Sequence, residues 1–88
     1  RETMAKSADF ANLLLREAQG NIPLRSESHR FASFIVLKSP DTPSVLMEAG
    51  YLSNEEDTAF LFSKDGQDKI AGSLARAVSV YFARRLVR

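Results

Sequence analysis

The chain has 88 residues, room for one domain, and its mixture of 44% hydrophobic and 26% charged side chains is that of an ordinary globular protein. A net charge of +1 is too small to argue for nucleic acid or an anionic membrane as partner, and no apolar run approaches the length of a membrane span. The absence of cysteine excludes a disulfide framework and any thiolate metal site, and leaves the compartment undecided.

The opening residues Arg1 to Lys6 lack the apolar stretch of a signal peptide, so any export signal is expected upstream. Residues 3 to 19 fit an amphipathic helix with Met4, Ala8, Ala11, Leu14, Leu15 and Ala18 on one face. Lys6, Asp9, Arg16 and Glu17 fall mostly off that face, and Gly20-Asn21 supplies the stop. The polar stretch 21 to 30 is a predicted loop. Phe31 to Leu37, rich in β-branched and aromatic residues, is a predicted strand. Lys38 to Pro43 holds two prolines and is a turn, in which Asp41 and Thr42 need no further role.

Ser44 to Gly50 is the second predicted strand, near-continuously apolar as a strand covered on both faces would be. Ser53 and Glu56 match a capping box that opens a short helix through about Phe62, with Ala59, Phe60 and Phe62 available for packing. Asp65 or Ser63 then caps a longer helix, whose inward stripe is Ile70, Leu74, Ala77, Val78, Tyr81 and Phe82. Lys69, Arg76, Arg84 and Arg85 take its wet side, and the arginines near its end complement the helix dipole.

The fold class is therefore α/β, with three helices and two strands. The turn between the strands is about six residues, too short for a helical crossover, so the pair is antiparallel. Two strands are marginal alone, and the second wants neighbours on either side. Further strands are expected, and residues 1–88 are expected to be the C-terminal part of a larger mixed sheet flanked by helices.

The residue that points to chemistry is Glu48. It stands in the run Pro43-Ser-Val-Leu-Met-Glu-Ala-Gly-Tyr-Leu-Ser-Asn54, and no residue of that segment offers it a positive partner. An ionised carboxylate removed from water costs several kcal/mol unless it is paired, hydrogen-bonded or metal-associated. Two accounts fit such an acid, a catalytic carboxylate or a structural one paired with an arginine of another element.

The segment Phe34-Ile-Val-Leu-Lys38, the Pro43 to Asn54 block and the Glu-Glu-Asp helix start after it are specific enough to compare. Together they resemble the C-terminal half of zinc-dependent N-acetylmuramoyl-L-alanine amidases, the amidase type 3 cell-wall hydrolases that separate daughter cells. The first helix with Ser7-Ala-Asp-Phe-Ala-Asn12, the stretch His29-Arg-Phe-Ala32 and the closing Val80-Tyr-Phe82 are also similar to that family, so the resemblance covers essentially the whole chain.

The resemblance implies a hydrolase that cleaves the amide between N-acetylmuramic acid and the L-alanine of the stem peptide. Its zinc would be held by two histidines and a glutamate that lie upstream in the family's order, with no match in this chain. A second glutamate, at the end of the Val-Leu-x-Glu strand, acts on the attacking water, and its counterpart here is Glu48. The implied partners are peptidoglycan, the remaining N-terminal part of the same domain, and a divisome activator that displaces a regulatory helix ending shortly before Arg1. The implied location is periplasmic or extracellular. The isolated 88 residues are expected to be inactive.

The single histidine, His29, is read as a loop residue, because one imidazole cannot build a three-ligand site and no second ligand follows at a metal-site spacing. Ser53 and Asn54 could touch glycan, but helix capping accounts for them. Tyr51 is expected in core or rim packing rather than in a substrate groove. Arg84, Arg85 and Arg88 are expected as a solvated helix end rather than a site for an anionic polymer. The rival to the enzyme is a non-catalytic or degenerate α/β module that binds cell wall or a protein partner, in which Glu48 forms an internal ion pair.

Overall fold

The computed structural model describes residues 2–22, 33–50 and 53–86. Among them are three helices and two strands: α1 (Glu2–Ala18), β1 (Ser33–Val36), β2 (Val45–Glu48), α2 (Glu55–Leu61) and α3 (Lys64–Leu86). The strands pair antiparallel, with Ser33 opposite Glu48, Phe34 opposite Met47 and Val36 opposite Val45, as the short connection requires. The α/β class, the element order and the antiparallel pairing match the sequence reading. No helix among the described residues is long and apolar enough to cross a membrane.

α1 packs on one face of the hairpin, and α3 packs against α1. Leu13 and Leu14 of α1 meet Ala77 and Tyr81 of α3, and Phe10, Phe34, Val45, Leu74 and Val80 close around them. A second group joins Ala18 and Ile22 to Phe34, Met47, Phe60, Leu61 and Ile70. The edge of Phe10 meets the Tyr81 ring at 5.4 Å between centroids and 75° between planes, an arrangement aromatic pairs prefer. Truncating a buried leucine in such a seam costs about 2 to 5 kcal/mol.

The buried face of α1 differs from the predicted stripe. Ser7, Leu13, Leu14 and Ala18 are buried, while Ala8 and Leu15 are exposed. The face is rotated by about one residue because Phe10 and Leu13, large apolar groups, outweigh the small alanines that suggested the other face. Ser7 belongs inside for a polar reason: its Oγ accepts the Ser44 backbone N–H at 2.8 Å and ties α1 to the start of β2.

On α3, Ser63 rather than Asp65 is the cap, its Oγ accepting from Gly66 N at 2.8 Å while donating to Phe60 O at 2.9 Å. Ile70, Leu74, Ala77 and Tyr81 face inward as expected, whereas Val78 and Phe82 are exposed, Phe82 by 60%. The helix turns its Ile70, Ser73, Ala77, Tyr81 line to α1, so positions 78 and 82 lie beyond the contact. Arg85 is not on the wet side: its guanidinium lies 3.9 Å above the Tyr81 ring and pairs with Asp9 at 3.2 Å. Arg76 is exposed yet reaches Glu17 at 3.0 Å, and Ser73 Oγ donates to the Glu17 carbonyl at 3.2 Å.

Two consequences can be measured on the intact protein. A Cβ at Gly66 would overlap the Phe60 carbonyl oxygen where α2 hands over to α3. Gly66→Ala is therefore expected to destabilise by about 3 kcal/mol, the upper range for overpacking, read as a lowered thermal midpoint. The guanidinium of Arg16, then that of Arg76, each hydrogen-bonded to Glu17, hold its carboxyl below the ordinary carboxylate range. A carboxyl so lowered binds its proton less readily in the folded chain than in the unfolded one. Its contribution is full above the ordinary value of 4.5 and is lost as pH falls through the lowered native value. Glu17→Gln is expected to flatten the acid limb of stability slightly in that window, slightly because the pairs are exposed. An unchanged acid limb would show that the pairs add nothing.

Candidate functional site

Glu48 is the last residue of β2 and its side chain is exposed, which corrects the expectation of a buried acid. The cause is the period of the strand. Val45 and Met47 point to the helices, so Leu46 and Glu48 point away. β2 is consequently covered on one face among the described residues, not on both. The outer face carries Ile35, Leu37 and Leu46, each exposed, with Leu46 at 44%. Glu48 thus stands at the edge of an apolar patch on the hairpin's open side.

Beyond Glu48 the strand gives way to irregular backbone. Gly50 has φ of +137°, a backbone conformation that side-chain-bearing residues rarely adopt. The short helix α2 then begins at Asn54, not Ser53: Asn54 is extended (φ −102°, ψ 123°) and its side chain accepts from Asp57 N at 2.9 Å. The capping box is displaced by one residue because Thr58 N and Thr58 Oγ1 both donate to the Asn54 carbonyl at 2.9 Å, which fixes Asn54 as the first helical acceptor. Ser53 is exposed, and so is Phe62 at 71%, against its predicted packing; Phe60 and Leu61 take that place in the core.

The acid that is buried in this corner is Asp57, 1% exposed and within the first turn of α2. Sequence reasoning places no role on it. The signal available is its position three residues after a capping asparagine, where a carboxylate complements the helix dipole.

His29, Tyr51 and Arg88 lie outside the described residues. Arg84 is exposed, as a solvated helix end predicts, while Arg85 is held on Tyr81. Asp41 and Thr42 are exposed in their turn, with Thr42 Oγ1 donating to Asp41 at 3.1 Å. Among the described residues no three of His, Asp or Glu gather where they could hold a metal ion, so these residues do not fit a zinc site by themselves. A cavity of about 490 Å³ opens elsewhere, between Phe10 of α1, Pro43 of the turn and Tyr81 and Phe82 of α3. Among the described residues no acid lines it, Glu48 included, so its walls offer no general base.

The sequence model of the N-acetylmuramoyl-L-alanine amidase family matches residues 1–80. The chain belongs to that family. It is 33% identical over 81 residues to N-acetylmuramoyl-L-alanine amidase AmiA of Escherichia coli, a match covering 92% of this chain and 28% of that protein. Amidase AmiC of Neisseria meningitidis is 33% identical over 79 residues, 90% of this chain and 19% of its own length. Probable amidase AmiB of Haemophilus influenzae is 46% identical over 48 residues, 54% of this chain and 11% of its own. The chain thus spans less than a third of the length of these relatives. No solved structure matches it.

The open face of the amidase hairpin makes a prediction of its own. Expressed alone, the 88 residues leave Ile35, Leu37 and Leu46 in water and are expected to self-associate as concentration rises. Leu46→Lys should reduce that association in sedimentation velocity. A parent chain that stays monomeric throughout would show that this face needs no cover.

Proposed function

We propose that the chain is the C-terminal part of the catalytic domain of a peptidoglycan hydrolase. The bond cut is the amide between the lactyl group of N-acetylmuramic acid and the L-alanine of the stem peptide. The observation that carries this reading is the family match over residues 1–80, which includes the whole Pro43 to Asn54 block with Glu48 inside it.

In this reading Glu48 is the general base and then the general acid. Its carboxylate takes a proton from the water that attacks the lactyl carbonyl carbon, and the new C–O bond gives a tetrahedral centre. The same carboxyl returns the proton to the amide nitrogen, the C–N bond breaks, and the products are a carboxylic acid and a free amine. An exposed acid at a strand end suits this work, since the substrate must reach it. The apolar residues beside it, Leu46 and Ile35, would limit water around the carboxylate once the rest of the domain and the substrate cover the face.

The zinc that the resemblance implies would polarise the carbonyl when bound. We propose that its ligands stand in the part of the domain that precedes Arg1, since the described residues do not supply them. The corresponding role is cell-wall remodelling and daughter-cell separation, in the periplasm or outside the cell, with peptidoglycan as substrate and a divisome activator as partner.

The test is Glu48→Gln in the full-length protein, assayed by release of free stem peptide from muropeptides. The substitution is expected to lower turnover by about 10²- to 10⁴-fold with metal content unchanged. Loss of metal instead would make Glu48 a ligand. A full-length parent that frees no stem peptide would end the amidase reading for this protein.

A further inference from the structure

We propose that Asp57 is a positioning residue for Glu48, acting through the backbone of the corner at Gly50. The inference rests on the role given to Glu48 under the proposed function. It starts from burial: Asp57 is among the largest fully buried side chains described and the one acid among them, although it sits on a seven-residue helix whose other first-turn acids, Glu55 and Glu56, are exposed. A carboxyl group is seldom taken out of water without a purpose that offsets the cost.

What it touches gives the purpose. A Cβ on Gly50 would lie 3.3 Å from both Asp57 Cβ and Oδ2, so a side chain there would crowd the carboxyl and Asp57 would have to shift by a few tenths of an ångström. Gly50 is two residues after Glu48, and its φ of +137° is the point at which the chain leaves the sheet. Asp57 is itself fixed from the other side, its N–H bound by the Asn54 side chain at 2.9 Å. The carboxyl therefore lies beside Gly50, on a residue whose backbone is anchored by the cap.

The exit of β2 therefore lies against a buried polar side chain. Among the described residues the last pair of the ladder is Ser33 and Glu48, two residues before Gly50. Moving the Gly50 backbone would rotate the end of β2 and swing the Glu48 carboxylate off its line to the attacking water. Misplacing a catalytic group by about 1 Å can cost on the order of 10²-fold in rate.

The experiment uses the full-length protein. Asp57→Asn keeps the shape and removes the charge, while Gly50→Ala pushes a methyl group against the carboxyl and strains the turn; the second variant decides if the first does not fold. Each is expected to lower kcat roughly 10- to 100-fold with KM within about twofold, and Asp57→Glu, longer by one methylene against Gly50, should not restore it. In the Glu48→Gln background, adding Asp57→Asn should cost nothing further, as for residues that act as one unit. Unchanged kcat in folded Asp57→Asn and Gly50→Ala, whatever happens to their thermal midpoints, would overturn the proposal and make Asp57 purely structural. A multiplicative loss in the double variant would also overturn it. Wild-type turnover in Glu48→Gln would remove the catalytic reading itself, an outcome distinct from a silent Asp57.

Discussion

The seam between α1 and α3 governs everything else described in this chain. Leu13 and Leu14 lie against Ala77 and Tyr81, and Phe34 and Val45 bring the hairpin onto this cluster from the α1 side. Two strands alone are marginal in water, so the hairpin's place is set by α1 beneath it as much as by its own ladder. The bond from Ser44 N to the buried Ser7 hydroxyl fixes where β2 begins along α1. With the start fixed and a period of two, the side of the sheet on which Glu48 emerges is determined. A one-residue slip would bury Glu48 against the helices and expose Val45 and Met47, so the same packing that stabilises the hairpin also presents the acid.

Much of this is legible in the residues because it is local. Helical spacing, two prolines in a tight turn and β-branched runs give all five elements and the antiparallel pairing. The faces are harder to read, for reasons visible in particular residues. Ala8 and Ala11 are too small to mark a core face, and Ser7 looks polar although its hydroxyl is needed inside. Val78 and Phe82 are apolar and lie outside the contact with α1. Arg85 is cationic and lies on Tyr81 next to Asp9, a seat that only the tertiary pairing of α1 with α3 creates. Sequence periodicity gives the shape of each helix, but the partner chooses which face is used.

The site shows the same division. Glu48 is singled out by the residues around it, yet an apolar run cannot say whether both faces of a strand are covered. The run reads as a doubly buried strand, whereas among the described residues it alternates, with the acid on the open side. The acid that is buried, Asp57, does not stand out by type, because a carboxylate in a helix's first turn is the commonplace choice. Gly50 lies close to it at a backbone angle that glycine permits, but the glycine alone does not tell which side chain it meets. The displaced cap is a similar case. Ser53 and Asn54 are equally good N-caps by type, and the bonds of Asp57 N to the Asn54 side chain and of Thr58 N to its carbonyl show that the second is used.

The exposed patch of Ile35, Leu37 and Leu46 beside Glu48 bears on how labour is divided in the intact enzyme proposed here. A general base needs access to solvent for its proton and protection from solvent during the reaction, and one open sheet face cannot give both. The described residues supply the first condition: a firmly seated strand that ends in an exposed carboxylate. The second calls for a cover over the apolar patch, which on the proposed reading the rest of the catalytic domain provides. On the proposed reading the same added layer would bring the metal ligands, so covering the patch and completing the site would be one event. The acid would then meet its substrate only in a domain assembled around it, and the 88 residues would contribute a positioned proton carrier without its electrophile.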